Sequence, residues 1–202
     1  MDEQALLRDA RRGDVEAFNG LVLHYQAMVY NLAYRVIGEP DAAADATQEA
    51  FISAFRALGS YRGGSFKSWL LRIVTNACYD EMRRRKRRPA SSLDELDGLD
   101  ETVDEPVLTS PAEGPEAHAV RRELREALQE AIQLLPEEQR VILVLSDVQE
   151  LSYEEIAEIT RTNLGTVKSR LSRARARLRE ILQANGELLP QAYRQEVDAE
   201  RT

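Results

Sequence analysis

One cysteine, two histidines and one tryptophan in 202 residues leave little material for several kinds of chemistry. With Cys78 alone an intrachain disulfide is impossible, which suits a reducing compartment. His24 and His118 stand far from each other and from Cys78, so no structural zinc site is expected. Aromatic residues make up only 6% of the chain, and Gly and Pro are sparse outside one segment. There is no convincing run of alternating apolar and polar residues, so little or no sheet is expected. No apolar run is long enough to cross a bilayer, and the stretch Met1 to Arg12 is charged rather than apolar. The expectation is a soluble, cytoplasmic protein. No pattern resembles a nucleophile with its base, a metal cage or a phosphate loop, so neither catalysis nor a cofactor is expected.

What the chain has is Ala, Leu, Glu and Arg, residues that favour helix. Apolar residues amount to 43%, enough for a core in each of two small domains. The expected fold is all-α: two small helical domains joined by a flexible acidic linker, the second a helix-turn-helix.

The net charge of −8 argues against nucleic acid, but its distribution does not. Residues 1–88 carry 14 basic and 11 acidic side chains; residues 89–117 carry none and 9. Binding depends on local fields, and the acidity is concentrated in one stretch. That stretch also holds Pro89, Pro106, Pro111 and Pro115. It cannot bury enough apolar surface to repay its ordering entropy. The expected layout is therefore a first domain at 1–88, a linker at 89–119, a second domain at 120–185 and a tail at 186–202.

In the first domain Asp14 is placed to cap a helix through Phe18, Leu21, Val22, Tyr25, Val29 and Leu32, ended by Gly38 and Pro40. Asp41 starts a second through Ala50, Phe51, Ala54, Phe55 and Leu58. After the loop Tyr61 to Ser65, a third helix carries Phe66, Leu70, Ile73, Val74 and Ala77 on one face. It runs into the basic series Arg83 to Arg88. In the second domain the periodicity predicts helices from about Val120 to Leu134, from Glu137 to about Leu145, from Ser152, and from about Leu164 to Leu182.

The last two of these form the most specific signal. Ser152-Tyr153-Glu154-Glu155 is a capping box, with Ser152 as cap and Glu155 at the third helical position. A break at Thr160 to Asn163 follows, where Thr162 or Asn163 can cap the next helix. There Val167, Leu171, Ala174, Leu178 and Ile181 form one narrow apolar stripe. Thr166, Ser169, Ser172, Arg173 and Ala176 point the opposite way. Lys168, Arg175 and Arg179 line one flank, with Arg170 and Arg177 on the other. From Lys168 to Arg179 there are six cations and no acid, so i+4 ion pairs cannot lace them within the helix. A face of short polar groups walled by cations suits the major groove: the centre meets base edges and the flanks meet phosphates.

Leu135-Pro136-Glu137-Glu138-Gln139-Arg140, Leu151 to Ala157, Gly165 to Leu171 and Arg173-Ala174-Arg175 resemble the C-terminal domain of bacterial sigma factors of the extracytoplasmic-function group. That domain reads the −35 promoter element. The resemblance implies base-edge contacts by Ser169, Arg170 and Arg173 and backbone contacts by Thr166 and Lys168; Arg175 and Arg177, on the flanks of the helix, are the further expected phosphate contacts. One departure is visible: the family turn usually has an apolar residue and then Gly, where this chain has Thr160-Arg161. Either the turn geometry differs or Arg161 takes a strained dihedral.

The first half resembles the same family. Asp45-Ala46-Thr47-Gln48-Glu49-Ala50-Phe51 is similar to its polymerase-binding helix, which implies core polymerase contacts by Asp45, Gln48 and Glu49. Where the family commonly has Glu and Leu, this chain has Ala44 and Ala46. Phe66 to Asn76 is similar to the segment that reads the −10 element. The resemblance implies that Tyr61, Arg62 and Ser65 belong to a loop that captures a flipped base. Lys67, Trp69, Arg72 and Asn76 then attend the opened strand, and the run with Arg83 and Arg84 grips duplex phosphates. Partly buried packing is an equally good account of Trp69. The family also implies an anti-sigma factor as partner and a connector lying near the path of nascent RNA, where the carboxylates Asp94 to Glu105 would mimic RNA charge.

Two other readings remain open from sequence. A freestanding helix-turn-helix regulator would bind a palindrome as a dimer without polymerase. An enzyme acting on nucleic acid would need clustered carboxylates or zinc ligands in a cleft.

Overall fold

A computed structural model of the chain describes residues 2–87 and 115–184, and all regular structure among them is helical. Asp2 caps a short first helix, α1 (Glu3–Ala10), by accepting from the Ala5 amide at 3.0 Å. The sequence pattern does not single this helix out. As expected, the Asp14 carboxylate caps α2 (Val15–Ile37), accepting from the amides of Glu16 and Ala17. Gly38 ends it at φ 88°, in the left-handed region where a Cβ is costly. Pro40 opens α3 (Pro40–Ala57) at a position where its missing N–H costs nothing. A 3-10 turn at Leu58–Ser60 leads to the loop, and α4 spans Phe66–Arg87.

These four helices close on a core of Leu21, Val29, Leu32, Leu70, Leu71 and Val74, each essentially without solvent contact. Ala42, Ala43, Ala46, Ala50 and Ala54 line the buried side of α3. Their small side chains let its backbone approach α2 and α4 closely. Cys78 lies in this core with its thiol pushed up to about 12 by burial, so it is an inert packing residue.

The second half consists of α5 (Pro115–Gln133), α6 (Glu137–Leu143), α7 (Tyr153–Thr160) and α8 (Leu164–Ala184). Two boundaries differ from expectation. Helix α5 begins at Pro115 rather than near Val120, because Pro is well suited to a first helical position. Helix α6 does not stop near Leu145 but widens into a π-helical turn, Val144–Val148. The tail from 186 lies outside the described residues, as do Arg88 and most of the expected linker, including the carboxylates expected to mimic RNA.

The two halves pack on each other. The last turn of α2 leaves carbonyls short of helical amides; Tyr34 O still accepts from the Gly38 amide at 2.8 Å, while Arg35 O and Val36 O lie past the last helical donor. Side chains of the second half satisfy them. Gln129 Nε2 donates to Tyr34 O at 3.0 Å, Gln133 Nε2 to Arg35 O at 2.9 Å, and Arg140 to Val36 O at 2.7 Å. The Gln133 side chain lies so close to Gly38 that a Cβ there would meet its Cδ at 2.5 Å. At the far side Lys67 Nζ donates to Gln149 O at 2.9 Å and Ser68 Oγ to Glu155 Oε1 at 2.6 Å. Lys86 pairs with Glu137 at 2.9 Å.

Candidate nucleic-acid interface

The turn between α7 and α8 is built by side chains already conspicuous in the sequence. Ser152 Oγ accepts from the Glu155 amide at 3.2 Å and Glu155 Oε2 from the Ser152 amide at 3.0 Å, completing the capping box. Of the two candidate caps for α8, it is Asn163 that accepts from the Thr166 amide, at 2.7 Å. The turn keeps the left-handed geometry in which Gly is favoured, and Arg161 adopts it at φ 53°, ψ 43°. A non-glycine residue there costs roughly 1 kcal/mol. Its neighbour Thr162 donates its amide to Ala157 O, so the turn is closed despite the strain.

Val167, Leu171, Ala174 and Ile181 are buried under α8, as the stripe required. Lys168, Ser169, Ser172, Arg173 and Ala176 are exposed on its other side, and Thr166 is half-buried. Arg173 folds back along the helix, donating Nε to Ser169 O and a terminal N–H to Ser169 Oγ, both at 3.2 Å. The two side chains form one polar unit on the open face.

The flanking cations are less free than the sequence suggests. Arg175 grips Asp147 of the π-helical turn through two hydrogen bonds of 3.0 and 2.6 Å. The pairing raises the guanidinium's pKa. Burial works to raise Asp147, but the bonds from Arg175 and Ser146 bring it below its ordinary value. Arg175 is thus also a strut between elements. Arg170 turns away from the open face and pairs with Glu138, and Arg177 meets Glu180 at 3.4 Å. The absence of acids within Lys168 to Arg179 excludes lacing inside that stretch, but Asp147 and Glu138 come from other elements and Glu180 from the next turn. Lys168, Arg173 and Arg179 remain solvent-facing.

In the first half the structure corrects the reading of Tyr61. The residue is 5% exposed, its ring edge-on to Phe66 and tilted against Trp69, and its hydroxyl donates to Gly64 O at 2.7 Å. It braces the loop from below and offers no open stacking face. Core aromatics and loop aromatics look alike in sequence, which is why periodicity cannot tell the two roles apart. Trp69 is half-buried against Tyr61 and Phe66, so packing accounts for most of its surface. Arg62, Ser65, Arg72 and Asn76 are exposed, whereas Lys67 is half-buried and spends its ammonium on Gln149 O. Along the basic run Arg83 pairs with Asp80 at 3.2 Å and Arg84 with Glu81 at 2.6 Å, both at i+3, while Arg85 pairs with Glu39.

Asp45, Gln48 and Glu49, which lie within about one helical turn, are exposed together on α3. Beside them stands Ile52, 39% exposed, one turn further along the same side. Sequence reasoning passes over it, because an isolated apolar residue outside a core stripe carries no signal until its exposure is seen. Arg140 escapes for a different reason: in sequence it is only the end of a motif, and its buried network depends on the docking of the halves.

The fold is thus all-α and two-part, and its second part presents a helix-turn-helix of the kind that enters a DNA groove. The Sigma-70 region 2 family matches residues 21–88 and the Sigma-70, region 4 family residues 125–178. The RNA polymerase sigma-H factor of Pseudomonas aeruginosa is 38% identical over 182 residues, covering 90% of this chain and 94% of that protein. The ECF RNA polymerase sigma-E factor of Escherichia coli K12 is 39% identical over 177 residues, 87% and 91% of the two chains. Among solved structures, the sigma factor RpoE of Bartonella quintana, in complex with the anti-sigma factor NepR, matches at 26% identity. The TM-score is 0.63, over 85% of this chain and 99% of that one. CnrH in complex with the cytosolic domain of CnrY shares the fold at 23% identity and a TM-score of 0.65, over 91% and 98%. The chain belongs to the Sigma-70 family, within its extracytoplasmic-function group. It is a DNA-binding factor for promoter-specific transcription initiation and not an enzyme. No helix among the described residues is long and apolar enough to cross a membrane.

Proposed function

We propose that this chain rides on core RNA polymerase in the cytoplasm and reads a promoter at two places. Helix α8 reads the −35 duplex with Ser169 and Arg173 at base edges and Thr166 and Lys168 on the backbone. Arg175, Arg177 and Arg170 add phosphate contacts, Arg170 after leaving Glu138. The open face of α8 carries this reading: short polar side chains and an arginine without a carboxylate partner among the described residues stand where a groove would meet them. The loop from Tyr61 to Ser65 and the α4 residues Lys67, Trp69, Arg72 and Asn76 handle the opened −10 strand. Tyr61 does so by shaping the loop. Arg83 and Arg84 steer phosphates of the adjoining duplex.

Lys67 is held by Gln149 O and Ser68 by Glu155 in the docked arrangement. Lys67 must exchange Gln149 O for DNA, so promoter binding loosens the docking of the two halves at this point. An anti-sigma factor is the expected antagonist, since the Bartonella relative is captured with one.

The acidic and amide face of α3 supplies the polymerase contact, with Ile52 as an apolar anchor beside Asp45, Gln48 and Glu49. Replacing Asp45 and Gln48 together by Ala is expected to weaken binding to core polymerase by roughly tenfold, as removal of central interface residues does. The side chains are exposed, so thermal unfolding should not move. Fluorescence titration of labelled protein with core enzyme measures this, and unchanged affinity would reject the assignment of this face.

A further inference from the structure

A cleft of about 510 Å³ opens between the end of α1 and the loop before α4. Arg8, Arg11 and Arg12 line one wall; Tyr61, Gly63 and Gly64 line the other. All three arginines are exposed. Of these, Arg12 meets Asp9 at 3.8 Å, a loose surface pair, while Arg8 and Arg11 have no carboxylate partner among the described residues. The other nearby acids are committed elsewhere: Asp2 caps α1, and Glu3 accepts from the Tyr25 hydroxyl. Arg11 is close enough for its charge to counteract the rise that burial causes in the Tyr61 phenol.

The opposite wall is bare. Gly63 and Gly64 sit at φ 95° and 93°, and a Cβ built on either would meet nothing within 4 Å. The loop backbone is therefore open to a ligand at Gly63 and Gly64, and it is braced from beneath by the Tyr61 hydroxyl on Gly64 O. Unpaired guanidinium groups facing open backbone make an anion site, and the guanidinium fork matches phosphate oxygens in pairs. The volume is that of a site for one small ligand, far too narrow for a duplex.

We propose that Arg8 and Arg11 form a phosphate clamp for the non-template single strand, holding the backbone next to the nucleotide whose base enters the loop at Tyr61 to Ser65. This rests on the reading of that loop as a base-capture element and extends it to α1. The clamp supplies what Tyr61, being buried, does not: a hold on the strand that needs neither stacking nor sequence.

The test uses the full chain assembled with core polymerase, as wild type and as the double variant Arg8→Gln, Arg11→Gln. Both are titrated with a pre-melted fork template that bears a single-stranded non-template extension, between 50 and 200 mM salt. The variant is expected to bind the fork about tenfold more weakly. Its plot of log affinity against log salt should be shallower by about 0.7 for each single-strand phosphate that the variant no longer neutralises. Methylphosphonate linkages beside the captured base should impose the same weakening on the wild type and no further weakening on the variant. Equal affinity and slope for the two proteins, with the wild type still binding the fork, would overturn the clamp and leave the loop reading intact. Failure of the wild type to bind the fork would overturn both. A parallel fall in affinity for core polymerase without DNA would overturn the clamp by assigning the arginines to the polymerase.

Discussion

Replacing Arg140 by Met is expected to lower the stability of the protein by about 3 kcal/mol, the largest effect foreseen for any single substitution. The side chain donates to Val36 O at 2.7 Å, Gln133 O at 2.6 Å and Leu135 O at 3.1 Å, and also to Gln133 Oε1. Burial disfavours its charge, against the attraction of Glu137, yet the guanidinium serves three backbone carbonyls that have no other donor among the described residues. Met fills similar space but donates nothing, so those carbonyls are stranded away from water at roughly 1–3 kcal/mol each before relaxation. The cation also sits at the C-terminal end of α2, where the helix dipole favours positive charge. A destabilisation of this size lowers the melting temperature of a chain this long by roughly 6–12 °C. Thermal unfolding followed by circular dichroism reads it, and a shift under about 2 °C would refute the network's importance. Gly38→Ala attacks the same junction by another route. It forces a side chain into the left-handed region and displaces Gln133, so small-angle scattering should show a larger radius while each half keeps its helices.

Replacing Arg173 by Ala is expected to cut occupancy of a matched −35 site by roughly 10- to 100-fold and to relax discrimination at one base pair. The guanidinium is already oriented by Ser169, so little ordering entropy is spent when it meets a base edge. Ser169→Ala should lose part of the same discrimination by freeing Arg173. Lys168→Ala offers the contrast: weaker binding to all sequences alike, with a salt slope shallower by about 1. Arg175→Ala behaves as neither, since it also releases Asp147 and should cost folding stability. Holoenzyme binding to a panel of −35 single-base variants separates these outcomes. A uniform weakening for Arg173→Ala would move that residue from base reading to backbone contact.

The local devices are legible in sequence because they depend on neighbours along the chain. Asp14, Gly38 and the Ser152/Glu155 box each act within four residues, and each stands where the pattern places it. The stripe Val167 to Ile181 is likewise a property of one helix. The missing glycine at Arg161 is visible as a conflict, and the structure resolves it by keeping the turn and straining the residue. What escapes depends on partners far away in sequence. Tyr61 looks like a stacking residue because nothing in the loop announces that Phe66 and Trp69 enclose it. Arg170 and Arg175 look free because Glu138 and Asp147 belong to other elements. Lys67 looks DNA-facing, while docking ties it to Gln149 and its neighbour Ser68 to Glu155. Charge pairing and burial between the halves are set by tertiary docking, which no periodicity encodes.

The central claim is that this chain gives core RNA polymerase its promoter choice. Run-off transcription with core enzyme on a library of random upstream sequences tests it most directly. Added protein should yield transcripts from defined start points whose templates share two short upstream motifs, and Arg173→Ala should blur only the distal one. If core polymerase gives the same start points with and without this chain, the account is contradicted.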